Sequence, residues 1–171
     1  MAMNITNSDI GRRVIIPVDG SINCHRAFKW YVKYIYKNND FVYFVHVLKP
    51  KSIRRDMIVT VDNPPVLAQT VHDFSLDFTD TGAISDSYKK LAEIAGVTDF
   101  KTEILANTSV GEAVLSLAAD LQANLVVIGC RGSGNFRRTL LGNVSRYLLL
   151  HSSLPVLVVP PSCRTLSFVS S

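Results

Sequence analysis

Three short apolar runs confine this chain to one kind of architecture. They are Val14–Val18, Leu125–Ile128 and Val156–Val159, and none shows the apolar–polar alternation of a strand with one wet face. They are too short for helices and rich in β-branched residues, so they read as strands covered on both sides. Between them lie stripes at the helical spacing of three and four. Ala27, Trp30, Tyr31, Tyr34 and Ile35 form one, in a helix expected over Asn23–Lys37 and ended by Asn38-Asn39-Asp40. Val110, Ala113, Val114, Leu117, Ala118 and Leu121 form another, opened by Ser109 and Glu112 in the spacing of a capping box.

Strands are expected at Arg12–Val18, Phe41–Val47, Phe100–Leu105, Asn124–Ile128 and Pro155–Val159, with a last helix over Asn143–His151. Lys49–Pro65 reads as a long loop in which Met57–Val61 forms a short strand or flap. Asn63 and Pro64 then have the chemistry of a helix start. The stripe Leu67, Val71, Phe74, Phe78 continues, slightly out of phase, into Ile84, Tyr88, Leu91, Ala95, so one long helix is expected with a weak point near Gly82. Strand and helix thus alternate throughout. Alternation of this kind implies a parallel sheet, wound right-handed, with helices on both faces. Ligands of such sheets bind at the carboxyl ends of the strands, where Asp19 and Gly129 both fall.

With 171 residues, 47% of them hydrophobic and 19% charged, the chain suits one globular domain and is too apolar for disorder. That domain is expected over residues 10–162, with 1–9 and 163–171 as flexible termini. No apolar run approaches the roughly 20 residues of a membrane span. The N-terminus lacks a basic region followed by an apolar stretch, so no signal peptide is expected. Cys24, Cys130 and Cys163 are odd in number and match no zinc spacing, which favours a reduced, cytoplasmic setting. A net charge of +4 is modest, and apart from Arg54-Arg55 and Arg137-Arg138 the basic residues are dispersed, so nucleic acid is not the expected partner.

The apolar run ending at Ile128 leads into Gly129, Gly132, Gly134 and then Gly142-Asn143-Val144-Ser145. A strand, a small basic glycine-rich loop and a helix start in that order can hold a phosphate. Backbone N–H groups line the loop, and the helix N-terminus adds about half a positive charge. Two familiar loops do not fit. Gly129 to Gly134 has Walker spacing, but Asn135 stands where lysine is needed. Gly132-Ser133-Gly134 lacks the third glycine of the dinucleotide fingerprint.

Gly129-x2-Gly132-x9-Gly142 resembles the nucleotide loop of the universal stress protein family. The resemblance extends to Val14-Ile-Ile-Pro-Val-Asp19-Gly-Ser, Val45-His-Val47, Leu125-Val-Val-Ile-Gly129, Leu141-Gly-Asn-Val-Ser145 and Leu154-Pro-Val-Leu-Val-Val159. It implies an open five-stranded parallel α/β sheet of order 3-2-1-4-5, Rossmann-like and similar to the adenine nucleotide alpha hydrolase fold. It also implies ATP as ligand, with Mg²⁺ as the nucleotide's companion, and a homodimer joined through Pro155–Val159. Carried over by motif, the contacts are Pro17, Val18, Asp19, Val47, Ile128, Gly129, Arg131, Gly132, Ser133, Gly142, Asn143, Val144 and Ser145. Asp19 would lie near ribose and phosphates, and the backbone of Val47 would meet adenine. The chain departs from the family at Asn143, where the ATP-binding motif has serine or threonine; an amide still donates to phosphate oxygen.

Plainer roles stand beside these. Asp19 also suits a helix cap, His46 a satisfied core histidine, Cys130 a structural position, and Arg131, Arg137 and Arg138 a solvated face. No catalytic set is visible, so at most slow ATP hydrolysis is expected. Two rivals remain at this point: a nucleotide-free dimeric adaptor of the same fold, and an ATP pyrophosphatase or adenylyl-transferase. The second would want a Ser-Gly-Gly-like turn where this chain has Asp19-Gly20-Ser21-Ile22.

Overall fold

The computed structural model describes residues 11–48, 82–130 and 141–161. Five strands, β1 (Arg13–Pro17), β2 (Phe41–Leu48), β3 (Phe100–Ala106), β4 (Leu125–Gly129) and β5 (Val156–Val159), form one parallel sheet of order β3-β2-β1-β4-β5. The helices among the described residues are α1 (Ile22–Tyr34), α2 (82–94), α3 (Val110–Asp120) and α4 (Asn143–His151). The expected order and layering are therefore observed. The loop over Lys49–Pro65, the Met57–Val61 strand, the first part of the long helix and both outer termini lie outside the described residues.

Both faces of β1 and β4 are buried, which accounts for their unbroken apolar runs. Val14, Ile16 and Val18 point to one side, where Cys24, Ala27, Phe28 and Tyr31 of α1 and Tyr88 and Ala92 of α2 cover them. Ile15, Val126 and Ile128 point to the other, against Val114 and Ala118 of α3 and Leu148 of α4. Gly111 lets the two helices of that second layer meet, since a Cβ there would collide with the ring of Tyr147.

Two expectations about α1 change. The helix stops at Tyr34 rather than Lys37, and Tyr34 is half exposed instead of packed. The reason is a polar network around Asp40, whose side chain is fully buried. Its carboxylate accepts from Arg12 Nε (2.8 Å) and Nη2 (2.6 Å), from the Tyr31 hydroxyl (2.6 Å) and from the Lys37 amide (3.0 Å). Arg12 Nη2 also donates to the Ile35 carbonyl at 2.9 Å. The backbone groups that would extend α1 are thus engaged by residues from the start of β1 and β2.

Candidate functional site

The strand register opens a crevice. Between β1 and β4 the ladder pairs only Val14 with Leu125 and Ile15 with Val126. On the far side of β4 it runs through to Gly129 opposite Val159. The carboxyl halves of β1 and β4 are thus not paired with each other, at the point where chain order reverses. Pro17, without an N–H, suits the end of such a strand. Val18 leans the other way, its amide bonded to the Val45 carbonyl at 2.8 Å. His46 Nδ1 lies 2.8 Å from the Val18 carbonyl, so that nitrogen carries the proton and donates; the histidine is satisfied, as expected.

Asp19 follows on a turn that needs Gly20, whose φ is +74°. Its Oδ1 accepts from the Ser21 amide at 3.0 Å and from the Cys24 thiol at 3.0 Å. The cap of α1 is Ser21, which accepts from the Cys24 amide, so Asp19 does not itself cap the helix. Burial, with Asp19 alongside, pushes the Cys24 thiol up to about 12, so it keeps its proton and serves as a donor. Nothing in the sequence beyond the five-residue spacing from Asp19 into the first turn of a helix marked Cys24 as that partner. Tyr88 packs below, its ring stacked on His25 with centroids 5.0 Å apart. Burial pushes its phenol up, and its hydroxyl has no hydrogen-bond partner.

Gly129 lies against the first turn of α1. A Cβ added there would sit 2.7 Å from the Asn23 carbonyl oxygen. The Oδ1 of Asn23 is buried without a partner in the same neighbourhood. Cys130 is buried, as a structural position requires. Its amide donates to the Val159 carbonyl at 2.9 Å, and its own carbonyl accepts from the Gly142 amide. Gly142 is the N-cap of α4 and offers the first-turn amides no side-chain acceptor. Asn143 is exposed and Val144 half-buried, while Ser145 is buried. The Ser145 hydroxyl donates inward, to the carbonyls of Cys130 (2.9 Å) and Gly142 (3.0 Å), rather than toward the crevice.

The structure brings together Pro17, Val18, Asp19, Ile128, Gly129 and Gly142–Ser145 at the carboxyl ends of β1 and β4, with Val47 at the end of β2, the strand next to β1. Arg131, Gly132 and Ser133, with Gly134, Arg137 and Arg138, lie outside the described residues. Among the described residues no cluster of three or more His, Cys, Asp or Glu could hold a metal ion, and no helix is long and apolar enough to cross a membrane.

A parallel α/β sheet whose strands part at the switch point, beside a helix N-terminus capped by glycine, defines a class of ligand-binding domain. Within that class, the sequence pattern of the Universal stress protein family matches residues 11–160, and the chain belongs to this family. A putative universal stress protein of Staphylococcus saprophyticus is 27% identical over 148 residues, covering 86% of this chain and 83% of that one. Among solved structures, a universal stress protein in complex with cAMP superposes with a TM-score of 0.63 at 20% identity, covering 88% of this chain and 98% of that one. An Arabidopsis thaliana family member with AMP bound gives 0.57 at 17% identity, covering 92% and 97%.

Proposed function

We propose that this chain binds an adenine nucleotide, ATP, at the carboxyl ends of β2, β1 and β4, as a ligand or switch in a cytoplasmic stress response. The observation that carries the reading is the junction of Gly129, Cys130 and Gly142. It sets a helix N-terminus without a side-chain cap beside the parted strands, where backbone N–H groups suit phosphate. Gly129 lets the first turn of α1 pack directly on the end of β4, and Asn23 in that turn supplies a buried oxygen in want of a donor. The nucleotide complexes of the two solved relatives support the same ligand class. Asp19 is the carboxylate at hand for a Mg²⁺ ion accompanying the phosphates, and any hydrolysis is slow. Mass spectrometry of nucleotide released from freshly purified protein should detect ATP, and calorimetry should show its rebinding. Absence of both would favour a nucleotide-free adaptor, the reading that Asn143 in place of a hydroxyl residue supports.

The adaptor and switch readings share a homodimer through β5. Val126 donates to the Pro155 carbonyl and Cys130 to the Val159 carbonyl, so residues 155, 157 and 159 turn their backbone groups toward β4. By alternation, Val156 and Val158 turn theirs outward, along the sheet edge. Leu149 and Leu150 of the neighbouring α4 are exposed. An edge of this kind pairs readily with its own copy about a two-fold axis. Light scattering at micromolar concentration should give a dimer. Val158→Pro removes an outward donor without breaking the β4 ladder, and should yield a monomer of unchanged helical signal. A wild-type monomer would count against the interface.

A further inference from the structure

We propose that Ser145 is a positioning residue: its hydroxyl clasps the start of α4 to the end of β4 and so fixes where the helix's first amides face the crevice. The proposal rests on the nucleotide reading above for its binding consequence, but the clasp itself is independent of any ligand. A helical serine bonding to a carbonyl one turn back is ordinary. Here the same hydroxyl also reaches Cys130, 15 residues earlier, at 2.9 Å. Two donors, the Gly142 amide and the Ser145 hydroxyl, converge on that one carbonyl, which has a lone pair for each. The Cys130 amide is in turn bonded to Val159. One residue, through its N–H and its C=O, therefore joins β4, β5 and α4.

The arrangement inverts the usual helix start. In a capping box the N-cap side chain accepts from the third helical residue, whose own side chain accepts from the N-cap amide. Gly142 has no side chain to offer, its amide goes to the strand, and Ser145 acts as donor. The first-turn amides are left for something other than this helix's own cap. A hydroxyl has one proton, and Ser145 directs it at two protein carbonyls, so it does not donate to phosphate; the amides of Asn143 and Val144 are what the clasp aims.

The test compares Ser145→Ala with Ser145→Thr, which retains the donor. In Ser145→Ala, the Asn143 and Val144 amides are no longer held toward the phosphates, so AMP and ATP should bind about fivefold more weakly while adenosine affinity stays put. Amide exchange at Gly142 should quicken. Ser145→Thr should restore both phosphate affinity and protection. If the alanine variant does not fold, Ser145→Cys, of similar size but a weak donor, takes its place with the same expected direction. Wild-type exchange at Gly142 in Ser145→Ala overturns the clasp, as does Ser145→Thr behaving like alanine. Equal weakening of adenosine and ATP overturns the aiming of amides at phosphate. A wild-type protein that binds no nucleotide defeats the proposed function instead, and the exchange comparison still decides the clasp.

Discussion

Asp40→Asn should lower unfolding free energy by about 3 kcal/mol or more at pH 7, the range for breaking a buried, hydrogen-bonded charge pair. Four donors converge on this carboxylate, and an amide cannot accept from all of them. One Asn nitrogen would face a guanidinium, a phenol or a peptide N–H, each itself a donor. Tyr31 is fully buried, so its hydroxyl would lose an acceptor where water cannot replace it. Set against a typical total of about 5–15 kcal/mol, the loss is large. The effect should also depend on pH in a definite direction. Burial is the largest influence on this carboxyl and raises its pKa, but Arg12, Tyr31 and the Lys37 amide together outweigh it and hold it below the ordinary value. A depressed folded-state pKa contributes stability that is complete above the unfolded value, near 4, and is lost as pH falls through the folded one. The gap between wild type and Asp40→Asn, measured by urea unfolding, should therefore shrink on acidification. A gap that is small at pH 7, or that widens toward acid, would contradict this account.

Gly129→Ala is the second substitution expected to matter most. Its Cβ would lie 2.7 Å from the oxygen and 2.9 Å from the carbon of the Asn23 carbonyl. Both are backbone atoms in the first turn of α1, so relief requires α1 or the end of β4 to move. Overpacking of this kind costs about 1–3 kcal/mol. The movement would widen the place where the proposed nucleotide approaches backbone, and ATP affinity should fall about tenfold, equivalent to about 1.4 kcal/mol. Gly82→Ala is the control, because a Cβ there meets nothing within 4 Å. It should leave binding unchanged and stability within about 0.5 kcal/mol or slightly raised. Equal behaviour of the two variants in thermal unfolding and calorimetry would show that the close approach at Gly129 is relieved without consequence.

The inner strands β1 and β4 were legible because each is covered on both faces, and a buried parallel strand needs an uninterrupted apolar run. The α3 stripe was legible for a similar reason: Ala113, Val114 and Ala118 recur at the period of the one face that is buried. What escaped the sequence is long-range. Asp40 looked like a polar residue ending a helix, and only the fold brings Arg12 beside it from 28 residues away. Periodicity alone also placed Tyr34 in the core, because nothing local shows that the chain leaves the helix one residue later. At the site, glycine spacing located the strand end and the α4 start, which are local features. The Cys24 bond to Asp19 and the Ser145 bond to Cys130 depend on side-chain direction, and residue type at a given spacing does not encode that.

The Asp40 network lies at the amino end of β1, and the crevice lies at the carboxyl end. Seven residues separate Arg12 from Asp19, roughly 20 Å of extended chain. Sites that far apart, sharing no partner, contribute additively. The ionic anchor therefore gives a descendant lineage latitude at the opposite end of the same strand: residues around the crevice can be exchanged, and a ligand refined, swapped or abandoned, while the amino-end anchor goes on securing the architecture.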